Sequence, residues 1–209
     1  MLKRIFDLIV ASGSLLFLSP FLIIVSCIIK LTDRGPVFYR GVRAGRYDHA
    51  FKIFKFRSMV VNADKIGGSS TADGDPRITA IGIFLRKYKL DELPQFINVL
   101  FGDMSIVGPR PEVQYYVDLY TEEEKVILGV RPGITDFASL WNADEGAILA
   151  GADDPDKVYM EEIRPEKLRL QMEYVHQRSL WIDIKIIVQT ISTILGFPQQ
   201  NTASNPKRT

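Results

Sequence analysis

Two adjacent carboxylates, Asp91 and Glu92 in KLDELPQ (Lys89–Gln95), are the residues of this chain best suited to chemistry. Cations crowd the sequence around them. Arg86, Lys87 and Lys89 precede the pair, Arg110 stands between Pro109 and Pro111, and Arg131 opens an Arg131-Pro132-Gly133 turn. Guanidinium groups match phosphate oxygens with paired hydrogen bonds. A carboxylate among them could hold Mg²⁺, which is often shared between a protein carboxylate and substrate phosphates. Helical neighbours point about 100° apart, so the two carboxylates either begin a solvated helix or divide the work at one site. Spacing alone favours the plainer option. Asp91 is then an N-cap, Glu92 complements the helix dipole, and Pro94 is tolerated in the first turn.

Other chemistries have little material. There are two histidines, His49 and His176, and one cysteine, Cys27. These do not make a zinc site, a Ser-His-Asp triad or an intramolecular disulfide. Asp73-Gly74-Asp75 is a DxD-like candidate metal site, but its polar, Gly-rich setting (Asn62–Asp75) reads more simply as a loop.

The elements that must position these groups can be read from pattern. The 209 residues suit one modest domain with an attachment. Residues 1–60 carry ten Lys/Arg and three Asp/Glu, a local net of +7 in a chain whose total is +1. Beside an apolar segment, that excess suits an anionic membrane surface. No nucleic-acid motif accompanies it. Leu8 to Ile29 is 22 residues without a charge, about 33 Å as a helix and enough to cross the hydrocarbon core. Ser19-Pro20 falls near its middle, and an interior proline deletes a backbone hydrogen bond. Both flanks are basic, which places both ends on one side by the positive-inside rule. The expectation is a re-entrant helix over residues 1–34, broken at Ser19-Pro20, with a straight span as the alternative.

Val37 to Met59 reads as a β-hairpin around a turn at Ala44–Asp48, with a bulge or burial on both faces to explain its imperfect alternation. Helices are expected over Ile78–Lys87, Glu92–Phe101, Tyr115–Leu128 and Arg164–Gln177, and an irregular acidic stretch over Ala143–Asp156. Ser179 to Gly196 is amphipathic, with Trp181, Ile184, Ile187, Val188, Ile191 and Leu195 on one face. That face packs on the core or lies on a bilayer with Trp181 at headgroup level. Residues 197–209 read as a flexible tail. The fold class is therefore α+β and mostly helical, with a catalytic domain over 35–196.

Several blocks together resemble the bacterial sugar transferases, specifically the small monotopic phosphoglycosyl transferases. They are the Ser19-Pro20 segment, GPVFYRGVRAG (Gly35–Gly45), FKFRSM (Phe54–Met59), DPRIT (Asp75–Thr79), LRKYKLDELPQFINVLFGDMSIVGPRP (Leu85–Pro111) and RPGIT (Arg131–Thr135). The resemblance covers about Lys3 to Gly196. It implies transfer of a phospho-sugar from a UDP-sugar to polyprenyl (undecaprenyl) phosphate, releasing UMP. It implies Asp91 as nucleophile, Glu92 as the Mg²⁺ ligand, Arg86 as a phosphate contact and the Pro109-Arg110-Pro111 turn as part of nucleotide recognition. It also implies a re-entrant helix in the bacterial inner membrane, with catalysis on the cytoplasmic face. It carries no sugar identity and no oligomeric state. Lys89, where Ser or Thr is expected, and Asp136, where Gly is common, depart from the pattern and could bear on donor choice. The rival readings are a membrane-bound glycosyltransferase using Asp73 and Asp75, and a non-catalytic membrane-surface adaptor.

Overall fold

The computed structural model describes residues 1–63, 66, 74–142, 145–149, 152 and 154–196. Most of the Asn62–Asp75 loop, Asp73 included, and the 197–209 tail lie outside these residues. Among the described residues the fold is mostly helical with three two-stranded sheets.

Helix α1 (Leu2–Asp33) is long and apolar enough to cross a membrane. It differs from the expected break, because helix continues through Pro20. Proline cannot donate to the carbonyl four residues back, and the Ser19 hydroxyl takes that carbonyl, Leu16 O, at 2.8 Å. The helix rests on the body through residues from both halves. Ala11 joins a core with Phe51, Ile53, Val99, Met104, Tyr174 and Ile186, while Val25 and Ile29 pack with Phe56 and Leu85. Polar groups reinforce the N-terminal half. Arg4 Nη1 donates to the Val99 carbonyl at 2.6 Å, and Asp7 accepts from Ser105 Oγ at 2.9 Å and the Ile106 amide at 3.2 Å. Lys3 pairs with buried Asp183 at 2.6 Å. Leu16 and Phe17, mid-helix, are exposed.

The expected hairpin forms as two antiparallel pairs, β1 (Phe38–Tyr39) with β4 (Lys55–Phe56) and β2 (Val42–Ala44) with β3 (Ala50–Lys52). One register runs through both, pairing Phe38 with Phe56 and Val42 with Lys52, so no residue is bulged out. The irregular alternation has another cause. Between the pairs, the Phe54 amide donates to Asn98 Oδ1 at 2.7 Å, and Asn98 Nδ2 donates to Lys52 O at 3.0 Å. A side chain of α3 (Gln95–Phe101) thus replaces a neighbouring strand and ties the hairpin to that helix.

Helix α2 (Ala80–Lys87) begins at Thr79, whose hydroxyl accepts from the Gly82 amide, and it crosses Ser58 so closely that a Cβ on Gly82 would lie 1.9 Å from the Ser58 carbonyl oxygen. After α3 the chain forms β5 (Ser105–Val107), which pairs in parallel with β6 (Gly133–Thr135). The single helix expected over Tyr115–Leu128 is two pieces, α4 (Gln114–Val117) and a 3₁₀ segment, Glu124–Gly129. Thr121 and Glu124 explain the restart. The Thr121 amide donates to Glu124 Oε2 at 2.8 Å and the Glu124 amide to Thr121 Oγ1 at 3.3 Å, a capping box.

Short helices α5 (Phe137–Trp141), α6 (Glu145–Leu149) and α7 (Pro155–Val158) follow, α6 within the stretch expected to be irregular and α7 beginning at its end. A π-helical turn, Tyr159–Ile163, leads into α8 (Arg164–Gln177). Helix α9 (Leu180–Ile194) starts at Ser179 and turns its apolar stripe outward. Trp181, Ile184, Val188, Ile191 and Leu195 are exposed, while Asp183 and Ile186 are buried against the body.

Candidate active site

The approach to the carboxylates is an irregular turn rather than a helix start. Lys89 is left-handed, with φ 56°, and Leu90–Glu92 is one 3₁₀ turn. Helix α3 begins only after Pro94, so Asp91 does not cap it. The two side chains then meet different fates. Glu92 accepts from Lys55 Nζ at 2.7 Å, from Arg110 Nη1 at 3.0 Å and from Arg110 Nη2. Asp91 is 6% exposed, and its carboxylate accepts no hydrogen bond and joins no ion pair among the described residues.

The electrostatics separate the pair further. Burial pushes the Asp91 carboxyl up, more than the nearby Lys55 charge brings it down, and the Glu92 charge adds to the rise. Burial also opposes the Glu92 charge, but Arg110 and Lys55 together overcome it and hold that carboxyl well below the usual range. Lys55 is itself shifted down by burial against the pull of Glu92. Adjacent carboxylates in environments of opposite effect suit different roles. The helix start expected at Asp91 and Glu92 does not lie beneath them, because α3 begins only at Gln95.

Backbone contacts position Arg110. The β5–β6 pair brings the two proline turns together: the Gly133 amide donates to Pro109 O at 2.9 Å, and the Ser105 amide to Pro132 O at 2.8 Å. A Cβ on Gly133 would lie 2.1 Å from the Gly108 amide nitrogen, so glycine is required for this approach. The Arg110 amide donates to Asp136 Oδ2 at 3.1 Å, while Asp136 Oδ1 caps α5 through the Ser139 amide at 2.7 Å. Asp136 is 0% exposed, and its contact with the site is through the Arg110 backbone.

The structure does not bring together all the expected residues. The guanidinium of Arg86, in the last turn of α2, makes no hydrogen bond among the described residues, and its charge favours ionised Asp91. Arg131 is spent elsewhere: its Nε donates to Gly102 O at 2.8 Å, at the opposite end of α3 from the carboxylates. Ser19 and Pro20 lie within α1. Asp75 is clamped by Arg77, with Nε at 3.0 Å from Oδ1 and Nη2 at 2.6 Å from Oδ2. The structure adds Lys55, to which no motif points. The signal was a lone cation between Phe54 and Phe56, which on a strand must face away from both.

Among the described residues no group of three His, Cys, Asp or Glu could cage a metal. Mg²⁺ commonly takes one or two carboxylates and completes its shell with water and phosphate oxygens. A carboxylate has about four lone-pair sites, and the described bonds to Glu92 use three, leaving one on Oε2. With unbonded Asp91 beside it, the donor set fits a cation shared with a diphosphate.

Comparison with known proteins identifies the family. The family model described as bacterial sugar transferase matches residues 1–196. The chain is 38% identical, over 94% of its length, to the UDP-N-acetylgalactosamine-undecaprenyl-phosphate N-acetylgalactosaminephosphotransferase of Aeromonas hydrophila, of which it covers 44%. It is 39% identical to the UDP-glucose:undecaprenyl-phosphate glucose-1-phosphate transferase of Escherichia coli (strain K12), covering 91% of the chain and 39% of the relative. The chain therefore spans about two fifths of the length of these relatives. It matches the exopolysaccharide production protein PSS of Rhizobium leguminosarum bv. phaseoli almost end to end, at 38% identity over 91% of the chain and 93% of that protein. The chain belongs to the bacterial sugar transferase family.

Proposed function

We propose that the chain is a phosphoglycosyl transferase, moving a phospho-sugar from a UDP-sugar to polyprenyl phosphate and releasing UMP. One observation carries the assignment of roles. Asp91 is buried and unbonded, while Glu92 beside it is held by Lys55 and Arg110. A carboxylate free of partners is available as a nucleophile. Its Oδ attacks the sugar-bearing phosphorus, a P–O bond forms, and the bond to UMP breaks with its electron pair leaving on UMP. An oxygen of polyprenyl phosphate then attacks the same phosphorus and frees the Asp91 carboxylate. Two steps let a soluble donor and a lipid acceptor use one nucleophile in turn.

Lys55, Arg86 and Arg110 offset the repulsion between an anionic nucleophile and an anionic diphosphate. Glu92 and Asp91 would hold Mg²⁺, which when bound supplies charge neutralisation to the diphosphate. Burial around Asp91 excludes water that would otherwise hydrolyse the aspartyl phosphate.

The membrane reading rests on α1 and α9. Arg4 and Ile29 both contact the body, yet a straight helix would separate them by roughly 37 Å. A straight transmembrane span would leave at most one end against a body on one side. This favours a helix that enters and leaves on the same face, with its exposed middle, Leu16 and Phe17, in lipid. The outward stripe of α9 suits the bilayer surface. The basic flanks of α1 support a body on the cytoplasmic side of the bacterial inner membrane.

The test is Asp91→Asn, which abolishes UMP release, while Arg169→Gln on the surface of α8 leaves it unchanged. Donor without acceptor should leave a protein adduct heavier by one phospho-sugar. Release of UDP instead of UMP would indicate simple glycosyl transfer, and full turnover by Asp91→Asn would sink the proposal. Cysteines at Leu2 and Thr32, with Cys27 replaced by Ser, should both label from the cytoplasmic side.

A further inference from the structure

We propose that Gln95 is a further catalytic residue, whose side-chain amide donates to a non-bridging oxygen of the phosphoryl group that Asp91 attacks. The proposal rests on the phosphoglycosyl transferase reading and adds a group to which that reading gives no part.

The backbone puts Gln95 beside Asp91. From Leu90 the chain turns right-handed without interruption. Leu90–Glu92 is 3₁₀, Leu93 (φ −54°, ψ −35°) and Pro94 (φ −61°, ψ −13°) continue in the same sense, and α3 begins at Gln95. Amides bond three residues back along this join: Leu93 to Leu90 O at 3.3 Å, Phe96 to Leu93 O at 3.2 Å and Ile97 to Pro94 O at 3.0 Å. Residues three or four apart in such a run share a face. Burial follows that spacing. Asp91, Gln95 and Asn98 are 6%, 1% and 0% exposed, while Glu92, Phe96 and Ile97 between them are only half-buried. Side chains on a right-handed helix lean toward its N-terminus, so that of Gln95 lies over the turn that carries Asp91. Cβ atoms at this spacing are about 5–6 Å apart, close enough for both side chains to touch one phosphoryl group.

The two amides on this face are used differently. Asn98 is spent on the fold: Oδ1 accepts from the Phe54 amide at 2.7 Å, and Nδ2 donates to Lys52 O at 3.0 Å and Asp103 Oδ2 at 3.2 Å. Gln95 Nε2 is buried and donates to nothing among the described residues. Asp91, four residues earlier, accepts nothing among them either. A buried donor without an acceptor loses its hydration for no return. Here a donor and an acceptor are buried, adjacent and not bonded to each other. A group that enters between them satisfies both if it offers Asp91 an electrophilic atom and Gln95 an oxygen. A phosphoryl group has both, on one phosphorus.

The neutrality of the amide suits this place. Lys55, Arg86 and Arg110 already bring positive charge to Asp91. A further cation one turn away would pair with the carboxylate and withdraw the nucleophile. An amide N–H takes up charge on the phosphoryl oxygen and leaves the carboxylate free. In the first step the bond from Asp91 to phosphorus forms, and the bond from phosphorus to UMP breaks with its electron pair leaving on UMP. In the second, polyprenyl phosphate bonds to phosphorus and the electron pair of the broken bond returns to Asp91. Gln95 keeps both amide protons throughout, so it serves each half-reaction alike.

The experiment measures UMP release by the full chain in detergent, with undecaprenyl phosphate and the best donor from a panel of UDP-hexoses and UDP-N-acetylhexosamines. Gln95→Met keeps the length of the side chain and removes the amide. It should melt at or above the wild-type temperature, because an unpaired buried donor is gone. It should nevertheless lower kcat about 100- to 1000-fold, the usual effect of losing one oxyanion donor. A second readout identifies the contact. Sulfur in place of one non-bridging oxygen on the sugar-bearing phosphorus is a weaker acceptor at that position. One of the two diastereomers should slow the wild type through Gln95, and that slowing should vanish in Gln95→Met, which a structural role would not produce. Gln95→Glu, of the same shape, is read in the same way should Gln95→Met fail to fold. A wild-type kcat in Gln95→Met overturns the proposal and leaves the two-step reaction standing. So does a slowed variant whose response to both diastereomers matches the wild type. A wild type that releases no UMP from any donor overturns the reaction reading and the proposal together.

Discussion

Removing the Lys167 ammonium should destabilise the protein and reverse the way one carboxylate couples stability to pH. Lys167 and Glu112 form an ion pair at 2.5 Å with side chains only 10% and 12% exposed. The Tyr159 hydroxyl completes a triangle, donating to Glu112 Oε1 at 3.1 Å and accepting from Lys167 at 3.1 Å. Glu112 directly follows Pro111, so this triangle anchors the turn carrying Arg110 to α8. Burial alone would raise the Glu112 carboxyl. Lys167 outweighs it, aided by Arg110 and Tyr159, and the carboxyl lies below its ordinary value.

Lys167→Met keeps the packing of the stem and removes the charge. Breaking a buried pair from one side costs about 3–5 kcal/mol, or roughly 6–20 °C in melting temperature for a chain of this size. The pH dependence follows from linkage. In the wild type the unfolded state binds more protons at Glu112, so this group's contribution is full above the unfolded pKa and is lost as pH falls through the lower folded value. In Lys167→Met burial dominates, the folded value rises above the unfolded one, and the contribution falls as pH increases. Thermal melts in detergent between pH 4.5 and 8, compared with Lys167→Met/Glu112→Gln to cancel other carboxylates, isolate the effect. A loss below about 2 °C at pH 7.5, or a gap between the two variants that does not change with pH, would refute the reasoning.

Three further outcomes test the positioning of the site. Gly108→Ala places a Cβ 2.4 Å from Arg131 O and must spread β5 from β6, so it should cost about 1–3 kcal/mol in melts and reduce UMP release by shifting Arg110. Lys55→Gln removes a charge that favours ionised Asp91, so that carboxyl keeps its proton to higher pH and the acid limb of the UMP-release profile moves upward. A profile unchanged from wild type would mean that Lys55 does not govern Asp91. Asp183→Asn weakens the hold on Lys3 and leaves the Tyr174 hydroxyl with a neutral partner, so hydrogen exchange should quicken over residues 2–8 and not over α3.

The elements of the fold were largely legible because each rests on a local pattern. The uncharged run marks α1, the turn at Ala44–Asp48 marks the hairpin, and the amphipathic stretch from Ser179 marks α9. What escaped depends on distant parts of the chain. Nothing near Lys55 or Glu92 announces that they meet across 37 residues through the Asn98 bridge. Arg131 has the residue type for phosphate, but the carbonyl at the end of α3 takes its Nε. Asp136 stands out in sequence as a possible selector of substrate, yet its place beneath Arg110 makes it a backbone support. The Thr121–Glu124 capping box was readable, since that spacing marks a helix start, and reading it would have divided the expected helix.

The contact of both halves of α1 with one body has a consequence for the lipid it prefers. A spanning helix matches its apolar length to the whole hydrocarbon slab, and its host is sorted among membranes by thickness. On the re-entrant reading the depth of the helix tip is set by packing on the protein: Ala11 on one side of the exposed Leu16–Phe17 stretch, Val25 and Ile29 on the other. The opposite leaflet then exerts no pull through mismatch. Such an enzyme can work equally well in thin and thick bilayers, and its sensitivity shifts to the composition and packing of the single leaflet it enters.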